Sequence, residues 1–175
     1  ISVFSIFLKC PSKFKKMEKT LMDFKIVEKS RILLVGKEIR TSNKDEDCSI
    51  KIQTLWKEFS EKKLGDAVHN KLNSDEILGV YTDYENKEFG YYSFVVGFEV
   101  SNGDDIPEGM VLKIIPPSKY CVITAKGKMP ESIGKAWQYI WNADIKRSYT
   151  GDFELYDKRY NDNENPEVDI YVAVK

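Results

Sequence analysis

Histidine is almost missing from this chain: His69 stands alone among 175 residues. That excludes a metal site built from clustered imidazoles and any catalytic triad needing a second histidine. His69 itself, in the polar stretch DAVHNKLN, reads as a solvated loop residue. Cysteine is scarce as well. Cys10, Cys48 and Cys121 are odd in number, far apart and free of any CxxC spacing, so neither a zinc ribbon nor a thioredoxin-type motif is available. Free thiols suit a reducing compartment, and Cys121, inside the apolar run YCVITA, reads as a small buried hydrophobe. A surplus of one charge is absent too: 27 Lys+Arg against 28 Asp+Glu leaves a formal net charge of -1. A dedicated nucleic-acid binder normally gathers a basic excess on one face, so direct DNA binding is not expected. Glycine-rich phosphate cradles, a GxSxG elbow and metal-spaced carboxylates do not occur. The expectation is a chain with no metal and no cofactor.

The beginning, ISVFSIFLKCPSKFKK, carries an apolar stretch from Ile1 to Leu8 that falls far short of the roughly 20 residues that span a bilayer. Its lysines, Lys9, Lys13, Lys15 and Lys16, follow the apolar part, the reverse of a secretory signal. Residues 1–16 therefore read as an extension with no role in the fold, and residues 17–175 as one cytoplasmic domain without a membrane span.

What is abundant is aromatic: 10 Tyr, 9 Phe and 3 Trp, 13% of the chain, within a hydrophobic content of 42% that is ample for a core. These residues fall into a repeated order. Arg31–Arg40 is a β-rich run, and Ile50–Leu64 follows with Ile52, Leu55, Trp56, Phe59 and Leu64 near helical spacing. Asp47 or Ser49 is placed to cap that helix, and Gly65 to end it. Ile77–Tyr84 and Gly90–Val100 then read as a hairpin. After the connection Pro107–Pro117, the second half repeats the pattern: a strand at Tyr120–Lys126, a helix at Pro130–Asn142 with Ile133, Trp137, Ile140 and Trp141 at helical spacing, and a hairpin of Asp152–Tyr160 and Val168–Val174. The reading is an α+β fold with a tandem β-α-β-β repeat, its halves at about 23–103 and 110–175. Such units meet edge to edge, putting both helices on one sheet face and leaving a groove on the other.

Period-2 alternation sorts the strand residues by face. Glu154 and Tyr156 separate from Phe153 and Leu155; Tyr171 separates from Ile170, Val172 and Val174; Tyr120 separates from Cys121, Ile123 and Ala125. Phe94, Val96 and Phe98 are assigned to the helix side, which makes Tyr91 a better groove candidate than Tyr92. The faces turned away from the core thus collect tyrosines and acids.

In order and spacing, IIPPSKYCVITAKG, a helix containing AWQYIW, and the terminal DFELYDKRYNDNENPEVDIYVAVK resemble the GyrI-like small-molecule-binding domain, the effector-binding domain of AraC-type and MerR-type regulators. IQTLWKEF and ILGVYTDYENKEFGYYSFVVGFEV in the first half resemble it also, so the likeness covers Asp23 to Lys175. It implies pseudo-twofold symmetry and a central groove for amphipathic, often cationic, ligands. In multidrug-responsive members a glutamate in the strand matching DFELY sits at the base of the pocket among aromatic rings. The matching position here is Glu154, and Tyr171 resembles the pocket tyrosine. Two departures are visible: Ala173 stands where a proline is usual, and the N-terminal extension is foreign to the pattern. The chain resembles the stand-alone members, with about twenty residues before its first strand, too few for a helix-turn-helix unit.

An acid flanked by Phe153 and Leu155, facing a partly dry groove, should either protonate or meet a cation, and aromatic faces attract cations too. The ordinary alternative is a glutamate paired with a lysine on a solvated sheet; the resemblance favours a ligand role. The candidate ligand-binding residues are Glu154, Tyr156, Tyr171, Tyr120, Trp56, Tyr81, Tyr91 and Trp137, with core packing the competing role for the two tryptophans. The expected function is binding of small amphipathic or cationic molecules in transcription regulation or in toxin and drug sensing, with a separate regulator or protein partner. One alternative is a hydrolase of strained electrophilic natural products, with Glu154 as general base beside Tyr156 or Tyr171. Another is a protein-interaction module of the gyrase-inhibitor type.

Overall fold

The structure, a computed structural model, describes residues 22–175. The expected extension at residues 1–16 lies outside them. Eight strands, β1 (Phe24–Lys29), β2 (Ile32–Ser42), β3 (Ile77–Thr82), β4 (Tyr91–Glu99), β5 (Val111–Ile115), β6 (Ser118–Lys126), β7 (Asp152–Tyr156) and β8 (Glu167–Val174), form one antiparallel sheet in the order β1-β6-β8-β7-β3-β4-β2-β5. The helices α1 (Cys48–Glu61) and α2 (Glu131–Asn142) follow β2 and β6. The units β2-α1-β3-β4 and β6-α2-β7-β8 repeat one another, as the sequence pattern implies.

Each helix is held by an apolar stripe. In α1, Cys48, Ile52, Leu55, Trp56 and Phe59 are buried at helical spacing; in α2, Ile133, Ala136, Trp137 and Ile140 are. Asp47 occupies the N-cap of α1 without a side-chain cap bond and instead pairs with Lys51 at 3.0 Å. The two halves meet where β3 pairs with β7, a five-residue ladder centred on Gly79 and Glu154. About that centre Tyr81 corresponds to Tyr156, and Trp56 of α1 to Trp137 of α2. Each helix packs chiefly on strands of its own half, α1 on β2 and β4, α2 on β6. The seam between them runs above β3 and β7.

Two strands escaped the sequence pattern. The repeat expected from Arg31 onward leaves out β1, and β5 lies within the stretch expected as the connection Pro107–Pro117. Both lie at the sheet's outer edges, β1 beside β6 and β5 beside β2, so the halves correspond there as well. The sheet is buried on both faces. One apolar cluster joins it to both helices; the other collects Leu34, Val80, Val95, Tyr120, Phe153 and Tyr171 on the far face, with Val27 of β1 and Val111 of β5 against it.

The expectation that Glu154 lies on the sheet face away from the helices is corrected by the register. Glu154 is opposite Ile170 and Phe153 is opposite Tyr171, so Glu154 shares its face with Ile170 and the helices. Alternation within a strand separates its two faces; only pairing with a neighbour says which face is which.

A buried acid in an aromatic frame

Glu154 is fully buried in the middle of the sheet, beneath the seam between α1 and α2. Three neutral donors from three elements hold its oxygens. The Trp137 indole N–H of α2 donates to Oε1 at 2.7 Å, the Tyr81 hydroxyl of β3 donates to Oε1 at 3.0 Å, and the Tyr156 hydroxyl of β7 donates to Oε2 at 2.7 Å. Hydrogen bonds to a carboxylate are about twice as strong as neutral ones, which offsets part of the desolvation that burial imposes. The tyrosines register the same environment. Burial first, and the neighbouring Glu154 charge second, push both the Tyr81 and Tyr156 hydroxyls well above the usual tyrosine range.

The rings around the acid come from both halves. Trp56 meets Tyr156 edge-on at 4.8 Å, Tyr81 lies 4.7 Å from Phe94 and 5.3 Å from Trp137, and Tyr160 meets Tyr156 at 5.2 Å. Glycine at position 79 makes this closure possible, because a Cβ there would sit 3.1 Å from Trp56 Cζ2 and 3.3 Å from Phe94 Cζ. A carboxylate set among ring faces and edges has the chemistry of a receptor for a lipophilic cation.

Of the candidate residues, the structure brings together Glu154, Tyr156, Tyr81, Trp56 and Trp137. Tyr171 and Tyr120 lie on the far face instead, where Tyr171 stacks on Phe153 at 4.4 Å and Tyr120 meets Phe153 at 5.3 Å. Tyr91 is exposed at the start of β4, while Tyr92 is buried 5.9 Å from Tyr81. Tyr92 and not Tyr91 therefore shares the sheet face of Tyr81 and Glu154. Tyr156 touches Glu154 and Tyr171 is across the sheet from it, so only the first of the two conceivable acid–tyrosine pairs exists. His69 is exposed, 3.7 Å from Asp105, and Cys121 is buried.

A second buried acid went unread in the sequence. Asp152 precedes Glu154 by two positions in β7 and faces the same way. Its Oδ2 accepts from Arg147 Nη2 and from the Tyr84 hydroxyl, each at 2.6 Å, and its Oδ1 accepts the Ala173 backbone N–H at 2.9 Å. The Arg147 guanidinium lies 4.3 Å from the centre of the Tyr149 ring. One strand thus carries two buried carboxylates in different settings, one tied to a guanidinium and one to hydroxyls and an indole. The available signal was the i, i+2 spacing of acids in DFELY. Among the described residues no group of three or more His, Cys, Asp or Glu could hold a metal ion, and no helix is long and apolar enough to cross a membrane.

Two β-α-β-β halves, one antiparallel sheet and a central acid framed by aromatic rings define an effector-binding fold of the GyrI-like type. The sequence pattern of Cass2, the integron-associated effector binding protein, matches residues 25–174, and the chain belongs to that family. The putative transcriptional regulator protein YobU of Bacillus subtilis is 33% identical over 141 residues, 78% of this chain and 88% of its own length. The transcriptional regulator BrlR of Pseudomonas aeruginosa is 31% identical over 160 residues, 87% of this chain but 56% of its own length, so the chain spans about half of that protein. Among solved structures, the Vibrio cholerae integron cassette protein VCH_CASS2 superposes with a TM-score of 0.66 at 26% identity, over 87% of this chain and 95% of that one. SAV2435 bound to tetraphenylphosphonium superposes with a TM-score of 0.71 at 20% identity, over 88% and 94% of the two chains, a likeness of fold.

Proposed function

We propose that this chain is a cytoplasmic effector-binding protein that takes up small lipophilic cations at Glu154 between α1 and α2. The observation that carries this reading is the buried carboxylate held by Trp137, Tyr81 and Tyr156. These donors fix the orientation of the carboxylate beside the rings. An incoming cation exchanges its hydration for this charge and for ring faces, each worth about 0.5–2 kcal/mol. Family membership supports effector binding, and the phosphonium-bound structural relative SAV2435 supports a cationic ligand class. The names of YobU and BrlR support a place in transcription regulation, with the bound state passed to a separate partner.

The test is titration with tetraphenylphosphonium, followed by the fluorescence of the three tryptophans. The expected result is saturable quenching, weakened at least about tenfold in Glu154→Gln, which removes the charge at nearly constant volume and forfeits more than about 1.4 kcal/mol. Absence of saturable quenching, or equal affinity in Glu154→Gln, overturns the reading.

A further inference from the structure

The aromatic frame is twofold and its polar chemistry is not. Ile133 and Trp137 of α2 are four residues apart, as are Ile52 and Trp56 of α1, and all four are buried in the same core cluster. Tyr81 and Tyr156 stand two positions from the central pair Gly79–Glu154. On one side of the pseudo-twofold, the Trp137 N–H donates to the Glu154 carboxylate. On the other side the corresponding indole, Trp56, meets glycine: its Cζ2 would lie 3.1 Å from a Cβ at Gly79. Nε1 and Cζ2 are bonded to the same ring carbon, so this edge of the indole carries the N–H as well. Trp56 is 7% exposed, and its Nε1 is buried with no hydrogen-bond partner among the described residues. A buried donor left without an acceptor is destabilising, and any group that supplies the acceptor relieves that cost.

We propose that the Trp56 N–H is a second polar contact of this site and selects cations that also carry a hydrogen-bond acceptor, such as a carbonyl or ether oxygen. This rests on the function proposed above, since it assigns the other end of the same ligand. Glu154 takes the cationic centre, and the unmatched indole takes an oxygen on the opposite side of the ring frame. A purely hydrocarbon cation uses the first contact alone. Trp141 Nε1 also lacks a partner, but its ring stacks on Trp137 within α2 and its counterpart in α1 is Ser60, so it belongs to no pair about the centre.

The experiment compares tetraphenylphosphonium with its analogue bearing an acetyl group on one ring, against the wild-type chain and Trp56→Phe. The expected result is that the acetyl cation binds the wild type about 2- to 10-fold more tightly, the range of one net hydrogen bond. Trp56→Phe removes that advantage, so the two cations bind the variant within twofold of one another. A second reading on the wild type is independent of the variant's folding: the Trp56 indole proton resonance moves further downfield with the acetyl cation than with tetraphenylphosphonium. If both cations bind with the same preference in the wild type and Trp56→Phe, and the indole resonance responds to them alike, the selection is overturned and the Tyr156 ring suffices for the Trp56 edge. If tetraphenylphosphonium itself does not bind the wild type, the proposed function falls, and this inference falls with it.

Discussion

Gly79 lies directly across the β3–β7 ladder from Glu154, and the side chain it lacks is what lets Trp56 and Phe94 close over the ladder beside the acid. Both residues sit where the two halves of the fold meet. Crowding the glycine therefore tests the frame without touching the charge. Gly79→Ala must displace Trp56 and Phe94 by a few tenths of an ångström, and overpacking of this kind costs about 1–3 kcal/mol. At about 2–4 °C per kcal/mol for a chain of this size, a thermal melt should show a clear fall in Tm.

Gly36 and Gly97 set a harsher limit. They pair across β2 and β4, and a Cβ on Gly36 would lie 2.2 Å from the Val96 carbonyl oxygen, a backbone atom with no rotamer to yield. Gly36→Ala should destabilise by about 3 kcal/mol or more. Urea unfolding, compared with Gly79→Ala, checks the order of the two.

The two helix tryptophans should respond differently to loss of the indole N–H. Trp137→Phe removes a hydrogen bond to a buried carboxylate, worth about 1.5–3 kcal/mol, in addition to ring volume. Trp56→Phe removes a donor that has no partner among the described residues, so only the change in ring size counts against it. Equilibrium denaturation of the pair should show Trp137→Phe as the less stable variant, and the opposite order would mean that the Glu154 contact contributes nothing.

Arg147 and Asp152 form an ion pair at 2.6 Å with both side chains almost wholly buried. Arg147→Met leaves the Asp152 carboxylate with the Tyr84 hydroxyl and the Ala173 N–H but no guanidinium. Breaking a buried pair from one side costs about 3–5 kcal/mol, which denaturant titration at neutral pH would detect.

Alkaline pH should unfold the chain through its tyrosines. Tyr81, Tyr84 and Tyr156 are all pushed well above the ordinary value of 10.0, chiefly by burial. Above pH 10 the unfolded chain releases these protons and the folded chain keeps them, so their contribution is complete below pH 10 and shrinks as pH rises beyond it. Each withdraws roughly 1.4 kcal/mol per pH unit in that window. Absorbance at 295 nm should show them ionising only with unfolding, and Tyr81→Phe should flatten the stability slope by one proton.

Much of this architecture was legible because it rests on spacing. The apolar stripes that place Trp56 and Trp137 on α1 and α2 are intact in the sequence, and Glu154 stood out as an acid between Phe153 and Leu155. The face was not legible. In β7, Phe153 and Glu154 are both buried, so alternation offered no contrast between core and solvent, and the answer lay in the pairing of Glu154 with Ile170. The same lack of contrast hides that Tyr171 and Tyr120 share a face with Phe153 and not with Glu154. The pairing of Asp152 with Arg147 was not legible because four residues of chain separate a pair that only the folded loop closes.

The twofold aromatic frame with a single acid has one further consequence. Two tryptophans and two tyrosines related by a half-turn would offer any guest two equivalent poses, and a guest that fits both conveys no direction. Glu154 on one side and Gly79 on the other abolish that degeneracy: a cation bound as proposed has a head and a tail. On that proposal a bound cation loads one half of the molecule differently from its twin, and any signal passed on through α1 and α2 has a direction.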